Sequence, residues 1–136
     1  MIREIVRDQL FLAIKSEDAT LEDAYLADDL IDTLKAHSHE CVGLAANMIG
    51  VSKRVIVFNN EGQLMVMFNP QIIKTNHEYE VQEGCLSLDG LRKARRYTTI
   101  RVRYQDKEMR LHTKTFKGFS AQIIQHEIDH TNGILI

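Results

Sequence analysis

Residues 120–130 read S-A-Q-I-I-Q-H-E-I-D-H, the most informative stretch of this sequence. Apolar residues recur in it at helical spacing, which favours an amphipathic helix with one buried side. Gly133 follows at the position where a glycine commonly ends a helix. We therefore predict a helix over residues 120–132.

This helix carries the pattern H-E-x-x-H as His126, Glu127 and His130. Four residues advance a helix by about 400°, so both imidazoles project from nearly one face and can bind one metal ion. Glu127 lies next to that face, where it can take a proton from a metal-bound water. A solvated polar face is the alternative, but the rest of the helix is apolar and its buried polar groups need partners. Asp129 points away from the histidines, so it either supports the site from behind or forms a simple salt bridge.

Two imidazoles leave a catalytic metal one protein ligand short. No side chain of residues 131–136 offers an imidazole, a carboxylate or a thiolate, so we expect the third ligand upstream. Cys85 is favoured, because Gly84 lets the backbone approach closely and a thiolate suits a transition metal. The other candidates are the acids and the remaining side chains of ligand type: His37, His39, His77, His112 and Cys41.

The rest of the chain mixes one further helix with several strands. Residues 20–39 have helical periodicity, and Thr20 with Asp23 resembles a capping box. Strand-like runs occupy residues 54–58, 64–68, 71–74, 78–82, 99–104 and 109–115. A hairpin turn is expected at residues 59–62, and Asn69-Pro70 is expected to end the strand before it. We predict an α+β fold in which antiparallel β-sheets pack around the C-terminal helix, with a second helix near the N-terminus.

Length and composition favour one ordinary globular domain. The 136 residues include a single proline and no linker-like tract, so we expect one domain over residues 1–136. Lys and Arg number 17 and Asp and Glu 19, a net charge of −2 that argues against direct nucleic-acid binding. No run approaches the roughly 20 apolar residues of a membrane span, and no secretory signal is recognisable. We therefore expect a cytoplasmic monomer that does not bind a membrane.

Three motifs together make the sequence resemble the peptide deformylases. The family's G-x-G-L-A-A-x-Q corresponds to C-V-G-L-A-A-N-M at residues 41–48. Its E-G-C-L-S corresponds to residues 83–87, and its Q-H-E-x-D-H to residues 125–130. The resemblance covers the chain from about residue 21 onward, and the second and third motifs together are highly specific.

The resemblance implies a hydrolase of protein biosynthesis that removes the formyl group from the N-terminal formyl-methionine of new proteins. It implies one divalent metal ion held by Cys85, His126 and His130. This ion is natively Fe²⁺, with Zn²⁺, Ni²⁺ and Co²⁺ as alternatives. It also implies that Glu127 is the general base for an attacking water and that the backbone N–H of Leu86 helps to hold the oxyanion.

The same resemblance assigns the substrate contacts. Gly43 is expected to contact the substrate backbone, and Val42 with Ile123 to line the methionine pocket. Arg92 falls where the family carries an arginine near the substrate, and Arg96 resembles a second one. Because the substrates are N-formylmethionyl nascent peptides, the enzyme is expected to work near the ribosome.

Two residues depart from the first motif. Met48 replaces the family's glutamine, whose amide donates a hydrogen bond to the metal-bound water or the developing oxyanion, and a thioether cannot donate one. Losing one oxyanion donor typically costs about 10²- to 10³-fold in rate. Cys41 replaces the first glycine, where a small buried residue is expected. These departures motivate an alternative, a paralogue with weak or altered activity on another N-acyl group or a metal-dependent binding role. A small metallopeptidase and a purely structural metal domain are further alternatives.

Overall fold

A computed structural model describes all residues from 1 to 136 and has one five-stranded antiparallel sheet with three α-helices. The strands lie in chain order across the sheet: β1 (Gly43–Ala45), β2 (Val55–Asn60), β3 (Gln63–Cys85), β4 (Leu88–Gln105) and β5 (Leu111–Lys117). The helices are α1 (Gln9–Leu12), α2 (Leu26–Ala36) and α3 (Gly118–Thr131). The predicted α+β fold, with antiparallel strands and a C-terminal helix, is confirmed.

Tight hairpins connect the central strands. Glu61 and Gly62 form the β2–β3 turn with φ values of 54° and 95°, the left-handed conformation that two-residue hairpins favour. This confirms the hairpin predicted at residues 59–62. Leu86 and Ser87 form the β3–β4 turn, since Cys85 pairs with Leu88. Cys85 is therefore the last residue of a strand at a sharp reversal of the chain.

The prediction that Asn69-Pro70 ends a strand was wrong. Asn69 instead forms a bulge within the continuous strand β3, where the register shifts between Phe68 and Gln71. It adopts a left-handed φ of 52°, which asparagine tolerates better than most residues. Its amide bonds both backbone groups of Ala19, accepting at 2.7 Å and donating at 3.0 Å. These tertiary hydrogen bonds stabilise the bulge, so the separate strands expected between residues 64 and 82 are one.

The first half of β4 was not predicted as a strand. Residues 91–96 read L-R-K-A-R-R, which lacks a clear apolar alternation. The segment is extended because each residue pairs with β3, as Arg92 does with Glu83. Its inward positions are Ala94 and Arg96, both buried. A buried arginine breaks the pattern that identifies a strand, and only its partners, described below, explain it.

The helix predicted over residues 20–39 is shorter and divided. A 3₁₀ turn at Leu21–Asp23 comes first, and α2 covers only Leu26–Ala36. The Asp23 carboxylate accepts the Thr20 backbone N–H at 2.8 Å, the half of the capping box that an acid at this position supplies. This capped turn accounts for the late start of the regular helix.

Helix α3 packs against β1, β2, β4 and β5 and carries the two histidines of the predicted metal site. It begins at Gly118, whose φ of 62° allows the chain to leave β5 at a sharp angle. The Gln125 side chain accepts the Tyr97 N–H at 2.8 Å and donates to the Tyr97 carbonyl at 2.9 Å. These two bonds tie the helix to β4. None of the helices has the length and apolar character needed to cross a membrane.

Candidate metal centre and active site

Helix α3 presents its two histidines to a single point. The Nε2 atoms of His126 and His130 lie 3.1 Å apart, and both residues are buried. Two imidazole nitrogens that converge in this way, with no acceptor between them, are well placed to bind one cation together.

Cys85 brings a third donor to the same point from the β3–β4 hairpin. The ligand atoms of Cys85, His126 and His130 all lie within 4.8 Å of one another. The Ser87 N–H donates to the Cys85 Sγ at 3.4 Å, which orients the sulfur. Two histidines and one cysteine supply the number and kind of protein ligands that would suit a catalytic transition metal. The other candidate ligands, His37, His39, His77, His112 and Cys41, are not part of this group.

A buried carboxylate holds His126 in position from behind. Glu83 Oε1 lies 2.8 Å from His126 Nδ1. Arg96 donates to both oxygens of Glu83, at 2.7 Å to Oε1 and 3.0 Å to Oε2, and to Asp129 at 2.7 Å. With Nδ1 turned toward this carboxylate, His126 would offer its Nε2 to a metal ion.

Hydrogen bonds from His126 and Arg96 keep the buried Glu83 carboxylate ionised. Burial alone would raise the pKa of Glu83, but the hydrogen bonds from His126 and Arg96 outweigh it and lower the pKa to about 2. The carboxylate is therefore ionised and acts only as an acceptor. The sequence allowed Asp129 either to support the metal site or to form a simple salt bridge. In the structure it binds Arg96, which binds Glu83, which in turn binds His126.

Glu127 is the one acid beside the metal position without a partner for its charge. The residue is 4% exposed, and its Oε1 forms no hydrogen bond. Burial raises the pKa of Glu127 to about 7, which suits a group that accepts and returns a proton near neutral pH. On one side it is confined by Gly43, where a Cβ atom would come within 2.9 Å of Glu127 Oε2.

A cavity of about 810 Å³ opens onto this centre. The sequence-predicted residues that line it include Val42, Gly43, Met48, Leu86 and Ile123, together with the ligands Cys85 and His126 and the acid Glu127. His130 lies behind them, fully buried. The arrangement can place a small carbonyl group between the three ligand atoms and Glu127, with a mainly apolar wall for its side chain.

Arg92 and Arg96 do not line this cavity. The Arg92 guanidinium donates to the Asp89 carbonyl at 3.2 Å in the hairpin that follows Cys85. Arg96 is buried and serves the Glu83 carboxylate rather than the substrate side. The expectation of a second substrate arginine at Arg96 is therefore corrected: its guanidinium lies between the carboxylates of Glu83 and Asp129 and balances their charge.

The two departures from the first motif both face the cavity. Met48 is 1% exposed, and its sulfur accepts the Ala45 N–H at 3.5 Å, so it packs as part of the core as well as the cavity wall. Cys41 is half-buried. Burial, together with the negative charge of Glu127, raises the pKa of the Cys41 thiol to about 12, so this sulfur stays protonated.

Glu83, Gln122 and Tyr79 belong to the site but were not predicted from the sequence. Gln122 Nε2 donates to Glu83 Oε2 at 3.0 Å, and the Tyr79 hydroxyl donates to Gln122 Oε1 at 3.3 Å. Glu83 had a signal, an acid two residues before the favoured ligand Cys85. Gln122 lies one turn before His126 on α3, so helical spacing also pointed to it.

Comparison with known proteins places this site in a family. The family model described as polypeptide deformylase matches residues 3–136. A peptide deformylase from Clostridium beijerinckii is 54% identical over 136 residues, covering all of both chains. The Met-Ala-Ser-bound crystal structure of a class I type b peptide deformylase from Acinetobacter baumannii matches with a TM-score of 0.89 and 28% identity. It covers 99% of this chain and 97% of that one.

A second solved structure agrees. The peptide deformylase from Thermus thermophilus matches with a TM-score of 0.87 and 35% identity, over 99% of this chain and 83% of that one. The motifs, the Cys-His-His group and the fold all point the same way as these matches. This chain belongs to the polypeptide deformylase family.

Proposed function

We propose that this protein is a metal-dependent hydrolase that removes the formyl group from the N-terminal formyl-methionine of newly made proteins. The observation that carries the proposal is the convergence of Cys85, His126 and His130 beside the unpartnered Glu127. The relative from Acinetobacter baumannii was crystallised with Met-Ala-Ser, a peptide with the form of a deformylated product. Such a peptide would occupy the cavity that opens onto this group.

The three donors would hold one divalent ion. We propose Fe²⁺ as the native ion, with Zn²⁺, Ni²⁺ and Co²⁺ as alternatives, since two imidazoles and a thiolate suit all four. When bound, the ion supplies Lewis-acid chemistry, because it lowers the pKa of a water and polarises a carbonyl group.

The residues of this chain transfer the proton, stabilise the oxyanion and bind the substrate. Glu127 accepts the proton of the attacking water and returns it to the amine that leaves as the C–N bond breaks. The Leu86 N–H donates to the oxygen that becomes negative in the transition state. Gly43 lets the substrate backbone approach, and Val42 with Ile123 contacts the methionine side chain.

Met48 and Arg92 are two further residues that we place near the substrate. Met48 contributes an apolar surface to the cavity wall in place of an amide donor. Arg92 lies in the hairpin beside Cys85, where it could reach only the part of a peptide that extends beyond the cavity. We assign both of them to substrate binding rather than to the chemical step.

We further propose that residues 1–136 act as one domain and as a monomer. Support for a single domain comes from a continuous core of 26 buried residues, which includes side chains of α1, α2, α3 and all five strands. Because its substrates are nascent chains, the protein would work in the cytoplasm near the ribosome.

The test is release of formate from formyl-Met-Ala-Ser by protein loaded anaerobically with Fe²⁺ or Ni²⁺. We expect turnover by the wild-type protein and a loss of about 10²- to 10⁴-fold for Glu127→Ala, with one metal per chain retained in both. Glu80→Ala, which removes an exposed acid on β3, is the matched control and should keep full activity. Wild-type protein that holds one metal per chain but releases no formate would refute the proposal.

A further inference from the structure

One wall of the cavity carries an amide among apolar side chains. Gln122 lines the cavity together with its helix neighbours Phe119 and Ile123. It lies four residues before His126, which is about 6 Å along the axis of α3. A methionine side chain that starts at a formylated amino group near His126 is long enough to reach it.

The orientation of this amide is fixed by its partners. The Gln122 nitrogen faces Glu83 Oε2, 3.0 Å away, an oxygen that also accepts a hydrogen bond from Arg96. The Gln122 oxygen faces the other way and accepts the Tyr79 hydroxyl at 3.3 Å. The amide is therefore held at both ends and cannot rotate without losing both bonds.

One N–H of this amide has no partner in the protein. A primary amide nitrogen carries two N–H groups, and the only acceptor for Gln122 is Glu83. The residue is half-buried and is one of those that line the cavity. The second N–H is thus available to the side chain that occupies the cavity.

We propose that Gln122 is a specificity-determining residue that donates this N–H to the sulfur of the substrate's methionine. The inference rests on the proposed function and adds a physical reason why the enzyme would prefer methionine as the first residue of its substrate. A thioether is a weak acceptor, whereas a norleucine side chain of equal length accepts nothing. With norleucine bound, the Gln122 N–H loses water and gains no partner, and that loss penalises the wrong substrate.

The test compares three peptides that differ only in the first side chain. Their N-terminal residues are formyl-methionine, formyl-norleucine and formyl-methionine sulfoxide, each followed by Ala-Ser. We expect Gln122→Leu to reduce the ratio of kcat/KM for methionine over norleucine by about threefold to tenfold, the worth of one modest hydrogen bond. The sulfoxide oxygen is a stronger acceptor than a thioether. Gln122→Leu should therefore reduce the ratio of kcat/KM for methionine sulfoxide over norleucine by a larger factor.

Tyr79→Phe is the matched control. It removes one hydrogen bond from the same cluster but leaves the Gln122 N–H groups in place, so the methionine preference should persist. A ratio of two substrates measured on one sample does not depend on the active fraction, so partial misfolding of a variant cannot imitate the effect.

The outcomes separate the two proposals. If Gln122→Leu lowers kcat/KM equally for all three peptides, Gln122 acts only through Glu83 and the inference is overturned. Loss of the preference in Tyr79→Phe to the same extent as in Gln122→Leu would also overturn the donor assignment. If metal-loaded wild-type protein releases no formate from any peptide, the proposed function itself fails.

Discussion

Replacing Glu83 by glutamine tests whether the buried carboxylate behind His126 supports the metal centre. Glu83 accepts hydrogen bonds from His126 at 2.8 Å, from Arg96 at 2.7 and 3.0 Å, and from Gln122 at 3.0 Å. All of these neighbours are donors. A glutamine at this position must turn its NH₂ group toward at least one of them, and the charge that balances Arg96 is lost.

The structure sets the size of two effects. Removing one partner of a buried ion pair typically costs about 3–5 kcal/mol of stability. Since Arg96 keeps its 2.7 Å bond to Asp129, we expect the lower end, about 3 kcal/mol. Loss of the acceptor for the His126 Nδ1 proton should weaken metal affinity by about 10- to 100-fold.

Both effects are measurable on purified protein. Urea unfolding of the metal-free proteins gives the difference in stability, and competition with a chelator gives the dissociation constant for Zn²⁺ or Ni²⁺. Glu80→Gln, the same change at an exposed position of β3, is the control and should leave both values unaltered. If Glu83→Gln has the metal affinity of the wild-type protein within about twofold and unfolds within ~0.5 kcal/mol of it, the reasoning is refuted.

Met48→Gln restores an amide donor to the cavity wall and is expected to raise kcat for formate release by up to about 10²-fold, whereas an unchanged kcat would mean that another group already donates. Gly43→Ala would place a methyl group 2.7 Å from Ile123 Cγ2 and 2.9 Å from Glu127 Oε2. Because Glu127 must shift, kcat should fall about 10²-fold while circular dichroism shows an intact fold; wild-type turnover would contradict this. Burial opposes ionisation of Asp29, but hydrogen bonds from the amino terminus and Arg3 outweigh it and lower the pKa of this carboxyl. The stabilisation is complete above the usual aspartate pKa of about 4 and is lost as the pH falls through the lowered value, so Asp29→Asn should unfold at less urea than wild type at neutral pH and converge with it in acid.

The local parts of the fold could be predicted because their causes lie within a few residues. The helix that carries His126 and His130 follows from apolar spacing and from Gly133, and the structure places it over Gly118–Thr131. The hairpin at Glu61 and Gly62 follows from turn chemistry. The grouping of Cys85 with the two histidines was favoured because a two-histidine motif demands another ligand.

The remaining parts depend on contacts between distant residues. Asn69 has the local pattern of a strand end, but its bonds to Ala19, 50 residues earlier, make it a bulge. Arg96 resembles a substrate contact in sequence, and only the tertiary structure shows Glu83, 13 residues away, and Asp129, 33 residues away, around its guanidinium. No local pattern identifies the partner of a buried charge, so the supporting network could not be predicted.

The order of the strands has a consequence for folding kinetics. Every neighbour in the sheet is also a neighbour along the chain, so the strands can pair through successive hairpins. The contacts of α3 are far less local, since Ser120 bonds Asn60 and the Asn47 amide bonds the His130 carbonyl, 83 residues away. Because closing a long loop costs entropy, such contacts form late in folding. The metal ligands are divided between the β3–β4 hairpin, which carries Cys85, and this last helix, which carries the histidines. An ion held there would therefore slow the unfolding reaction and leave the folding rate almost unchanged.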